Sequence, residues 1–116
     1  MTTIQERVAA KPVTVYISIG NSDDKLTQAE WAEYYRKVNL AVRTGHVHGQ
    51  WVSEPASAWQ NACWCVEFDP DTRLVTSDGH EHSRVEWLRR RLTELAREYR
   101  QDSIAWAEAR TEFLTP

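Results

Sequence analysis

Between residues 13 and 19 the apolar Val13, Val15, Ile17 and Ile19 alternate with Thr14, Tyr16 and Ser18, the period of two that gives a strand one buried and one open face. The turn formers of residues 20–24 (GNSDD) end that run. Thr27 and Glu30 stand at capping-box spacing and predict a helix from about residue 28. Trp31, Tyr35, Val38 and Val42 then recur at helical steps, and Gly45 after Thr44 predicts a left-handed glycine cap. A weaker strand is expected over 46–53 with Val47, Trp51 and Val52, followed by a turn at 54–57. A third is expected over 59–68, where Glu67 sets Cys63 and Cys65 on the open side and Trp64, Val66 and Phe68 inward. Residues 69–72 read as a turn, and 73–80 has no assignable pattern. Ser83 and Glu86 form a second capping box, after which Val85, Leu88, Leu92, Leu95 and Tyr99 fall on steps of three and four. Gln101 and Asp102 close that helix, and 103–108 reads as a last strand with Ile104 and Trp106.

Strand, helix, strand, strand, helix, strand is the split βαβ order. It predicts an α+β, single-domain ferredoxin-like βαββαβ sandwich, a four-stranded antiparallel sheet with two helices on one face. The expected division is an N-terminal arm over 1–12, the domain over 13–110 and a C-terminal tail over 111–116. The helices leave the opposite sheet face open, and such a face must be polar or be covered by the tail, a partner subunit or a ligand.

Length and charge narrow the reading. The chain has 116 residues with 14 Lys+Arg against 17 Asp+Glu, a formal charge of −3, so there is no global pull toward DNA, RNA or anionic lipid and nucleic-acid binding is not expected. No stretch approaches the roughly 18 apolar residues of a membrane helix, and the N-terminus lacks the layout of a signal peptide. A cytoplasmic protein is expected. Cys63 and Cys65, two residues apart on one strand face, are poorly placed to bridge and read as free thiols in a reducing compartment. The second helix is expected to carry Arg84, Arg89, Arg90, Arg91, Arg97 and Arg100. That basic stripe is a candidate surface for an acidic protein partner, set against the plainer reading of a solvated face laced with ion pairs.

The chemistry-bearing motifs are few. Only four glycines are present, in no phosphate-binding loop, dinucleotide fingerprint or nucleophile elbow. His46 and His48, and His80 and His82, make two His-x-His pairs. The first pair gives candidate metal ligands and, with an Asp, a metal-dependent hydrolase as one alternative, although the spacing matches no standard zinc signature. Six Trp and four Tyr are more than two helix stripes need, and such rings favour recognition surfaces. The leading expectation is therefore a non-catalytic binding protein without a cofactor. It holds a planar, nucleotide-like ligand on an aromatic sheet face, at a homodimer interface, through Tyr16, Asn21, Asp23, Asp24, Trp51, Asn61 and Trp106. A protein–protein inhibitor module is the other alternative.

The stretches 17–31 (ISIGNSDDKLTQAEW), 59–65 (WQNACWC) and 100–108 (RQDSIAWAE) resemble those of small uncharacterised proteins of actinobacteria and their phages. The resemblance implies a bacterial or phage setting, with a defence-related role by analogy, and no mechanism.

Overall fold

The computed structural model describes residues 12–21, 24–54, 57, 59–69, 73–75, 77–79, 81–110 and 112–116, with the backbone alone at 73–75, 81 and 82. The expected N-terminal arm lies almost wholly outside the described residues. Strand β1 (Val13–Gly20) leads to helix α1 (Gln28–Val42), strand β2 (His46–Val52) and strand β3 (Asn61–Phe68). Two short strands, β4 (Arg73–Val75) and β5 (Glu81–Ser83), precede helix α2 (Arg84–Glu98) and strand β6 (Ala105–Ala109). The main sheet has the order β2-β3-β1-β6 with every neighbouring pair antiparallel. This is the expected ferredoxin-like arrangement, with the apolar β1 and β3 in the centre.

Its one addition among the described residues is the β4–β5 pair, a separate two-stranded sheet, with β4 in the stretch 73–80 that has no assignable pattern and β5 just after it, ending at the Ser83 cap. Three-residue strands are too short to establish a visible period.

One-sided burial of the sheet follows from the alternation. Val15, Ile17 and Ile19 of β1 and Ala62, Trp64, Val66 and Phe68 of β3 are buried, with Thr14, Tyr16, Ser18, Cys63, Cys65 and Glu67 on the other side. The buried set merges with Trp31, Tyr34, Val38 and Val42 of α1 and Leu88, Leu92 and Leu95 of α2 into one core. Both helices begin as their caps dictate. The Thr27 hydroxyl accepts the Glu30 N–H at 3.1 Å while Glu30 accepts the Thr27 N–H at 3.0 Å, completing the box. Ser83 accepts the Glu86 N–H at 3.0 Å.

The end of α1 departs from expectation. Gly45 is not among the positive-φ residues; the site takes glycine because a Cβ there would sit 2.7 Å from both the Phe68 ring and the Val66 side chain. The left-handed position belongs to Arg100 (φ 56°) after α2, where the Gln101 N–H reaches back to the Ala96 carbonyl at 2.8 Å. The guanidinium of Arg100 bonds Glu30 at 2.8 Å, tying the end of α2 to the start of α1. No helix among the described residues is long and apolar enough to cross a membrane.

Candidate functional site

The register writes the open face as three rows. Trp51, Cys63, Ser18 and Ala105 lie side by side across the four strands, followed by Gly49, Cys65, Tyr16 and Ala107, then His46, Glu67, Thr14 and Ala109. Most of these side chains are small, so the face is a shallow floor. Two rings stand up from it: Trp51, 56% exposed, and Tyr16, 45% exposed. They are two strands and one pleat repeat apart, about 12 Å between Cα atoms from ordinary sheet spacings. Cys63 and Cys65 lie between them, and the space over Gly49 is open, with nothing within 4 Å of a Cβ built there.

Charge is scarce on this face. His48 occupies a bulge between Val47 and Gly49 and reaches Glu67 with its Nε2 at 2.9 Å, and the His46 ring packs edge-on against it at 4.6 Å. The two histidines thus turn to each other and to a carboxylate. Among the described residues no group of three or more His, Cys, Asp or Glu side chains is placed to hold a metal ion. Both cysteines are free thiols, half-buried in the floor. Hydrogen bonding with the Cys65 thiol, followed by charge repulsion from it, raises the Tyr16 phenol above its ordinary range.

Of the ligand-binding candidates, Tyr16, Trp51 and Asn61 share this face. Asn61 sits at its β3 end, where its side-chain amide donates to the Trp59 carbonyl at 3.0 Å. Three others do not. Asn21 is 1% exposed: its Oδ1 accepts the Leu26 N–H at 3.0 Å, and its Nδ2 donates to the Leu26 carbonyl at 3.1 Å and to Gln60 at 3.3 Å. It clamps the β1–α1 turn from inside the fold, away from the open face. Asp24 is exposed in that turn with φ 57°, its N–H given to the Asn21 carbonyl; Asp23 lies outside the described residues.

Trp106 pairs with Ile17 and therefore faces the helices, not the open side. The Arg89 guanidinium lies 5.2 Å over its ring, and both line a cleft of about 280 Å³ between α2 and β6. Ile104 and Trp106 share parity along the chain, opposite to Ala105, Ala107 and Ala109. That apolar-against-small contrast was the available signal for the facing.

The basic stripe is largely engaged within the chain. Arg84 donates to the Thr44 carbonyl, Arg91 pairs with Glu94, Arg100 with Glu30, and Arg89 lies on Trp106.

Fold and face together define a ferredoxin-like α+β domain whose open sheet face, uncovered among the described residues, carries small side chains, the exposed rings of Tyr16 and Trp51 and one imidazole–carboxylate contact. No protein-family model, curated protein or solved structure matches the chain.

Proposed function

We propose that this is a non-catalytic cytoplasmic binding protein that holds a flat, nucleotide-like ligand on the open sheet face, over Cys63 and Cys65 and between Tyr16 and Trp51, at the interface of a homodimer. The observation that supports this reading is the pairing of a small-residue floor with two exposed rings. Face-to-face sheets pack about 10 Å apart. Floors of Gly49, Ser18, Cys63, Cys65, Ala105 and Ala107 are too short to fill that gap from either side, so a slot remains. Its walls are the Tyr16 and Trp51 rings, which stack on or edge a planar molecule, and Asn61 offers polar specificity at one end.

Native mass spectrometry of the purified full chain tests the reading, together with a search for small molecules released on denaturation and calorimetric titration with ATP and FMN. The expected species is twice the 13.5 kDa chain carrying added mass, with the added mass or the probe affinity lost in Trp51→Ala. A bare monomer at every concentration, without probe binding, overturns it.

A further inference from the structure

The cleft of about 280 Å³ between α2 and β6 lies on the helix side of the sheet, separate from the open face. Leu92, Ile104 and Trp106 give it apolar walls, and Thr93 and Ser103 add hydroxyls. Its cation is Arg89. Elsewhere along α2 and just beyond it, Arg84, Arg91 and Arg100 each reach an oxygen of the chain, at the Thr44 carbonyl, Glu94 and Glu30. Arg89 has no such oxygen among the described residues; its guanidinium carbon instead lies 5.2 Å from the centre of the Trp106 ring. Asp102, the acid that lines the same cleft, is held by Lys25 at 3.3 Å. Stacking on a ring occupies the face of a guanidinium, while its N–H groups lie in the plane and stay open to a carboxylate.

We propose that this cleft binds a small apolar monocarboxylate, its two oxygens taken by the N–H fork of Arg89 and its body laid against Leu92 and Ile104. The site goes beyond the open-face reading and does not depend on it.

Three observations favour this class of ligand. The first is charge. One uncompensated guanidinium among apolar walls matches a monoanion with an apolar body, whereas a phosphate would keep further charge and oxygens unpaired there.

The second is size. The volume of about 280 Å³ falls at the small end of ligand pockets, which run from about 300 to 1,000 Å³. It suits one ring or a short branched chain with its acid group, and a nucleotide is too large.

The third is the identity of residue 106. The Trp106 Nε1 is buried without a hydrogen-bond partner among the described residues, a cost that Phe would not incur in the same place. The indole is, however, the better platform for a cation. It holds Arg89 over the cleft before any ligand arrives, which lowers the ordering cost of binding.

The test is titration of the full chain, followed by amide NMR shifts, with benzoate and isovalerate as probes and with benzamide and acetate as controls that lack the charge or the body. Saturable shifts are expected at Arg89 to Thr93 and at Ser103 to Trp106, with a Kd on the order of 1 mM. Both controls should bind at least about 10-fold more weakly. Arg89 is exposed, so Arg89→Gln is expected to keep the dispersed spectrum of the folded chain and to lose at least about 10-fold in affinity. Arg89→Lys, which keeps the charge without the fork, should fall between the two. Trp51→Ala, on the other side of the sheet, should bind benzoate as wild type does. No saturable shift with either acid overturns the proposal, and so does benzamide binding as tightly as benzoate. Wild-type affinity in Arg89→Gln overturns the role of Arg89, and wild-type affinity in Arg89→Lys overturns the fork. Loss of benzoate binding in Trp51→Ala moves the acid to the open face and overturns the cleft.

Discussion

Replacing Asn21 by Ala separates a structural clamp from a ligand contact. The substitution removes the acceptor of the Leu26 N–H and the donor to the Leu26 carbonyl, and Leu26 is itself buried, so water does not substitute. Gln60 is spared, because its side chain keeps a reciprocal pair with Gln28 at 2.8 and 3.3 Å. The main-chain bond from the Asn21 N–H to the Gln60 carbonyl at 2.8 Å also survives. Two orphaned backbone groups at about 1–2 kcal/mol each predict a loss of about 2–4 kcal/mol. For a domain of this size that lowers Tm by about 8–16 °C. Urea unfolding followed by tryptophan fluorescence measures it, with an unchanged m-value as the sign that two-state behaviour holds. Asn21→Asp keeps the acceptor but buries a carboxylate, so it is expected to be more harmful at pH 7 than at pH 4, where part of it is neutral. An Asn21→Ala protein within about 0.5 kcal/mol of wild type refutes the clamp, and the same protein failing to hold ligand would return Asn21 to the binding site.

Three further outcomes are expected. Gly45→Ala should cost about 1–3 kcal/mol by overpacking against two fully buried side chains, whereas Gly49→Ala, with open space around it, should stay within about 0.5 kcal/mol; equal effects in urea melts contradict the steric account. Tyr34 is buried with its hydroxyl unpartnered among the described residues, and burial raises its pKa; Tyr34→Phe should be neutral or up to about 1 kcal/mol stabilising, and a clear loss in thermal unfolding counts against this. The Arg100 guanidinium holds the Glu30 carboxyl below its ordinary 4.5, and the Tyr99 hydroxyl and Lys37 do the same for Glu33. The unfolded chain then binds more protons in acid, so this stability is present above about pH 4.5 and lost as pH falls through the lower folded values. Glu30→Gln with Glu33→Gln should flatten stability against pH between about 5 and 3, and curves parallel to wild type contradict the assignment.

What was legible in the chain were the elements whose burial is one-sided over a long run. Val13 to Ile19 and Ala62 to Phe68 declare their faces by alternation, and the leucines of α2 declare theirs at helical steps. The rest was decided by contacts distant in sequence. Both Tyr34 and Tyr35 fit the α1 stripe; Tyr34 goes to the core beside Tyr99, with ring centroids 5.0 Å apart, and Tyr35 stacks on Trp64 at 5.5 Å. Asn21 looks like any turn residue until Gln60, 39 positions on, closes over it. For the candidate site, Tyr16 follows from strand parity, whereas Trp51 does not, because the bulge at His48 sets Val47 and Trp51, equal in parity, on opposite faces. For Trp106 the signal lay in the parity it shares with Ile104, opposite to the alanines at 105, 107 and 109.

The bulge at His48 has a consequence for how copies of this chain can add to one another. β2 is an edge strand, and an edge with free backbone groups invites strand-by-strand extension that has no natural end. The extra residue between Val47 and Gly49 breaks the regular spacing of donors and acceptors that an incoming strand would need. Lateral growth into a continuous sheet is therefore disfavoured there. An edge made irregular in this way lacks the evenly spaced backbone groups on which filament growth depends.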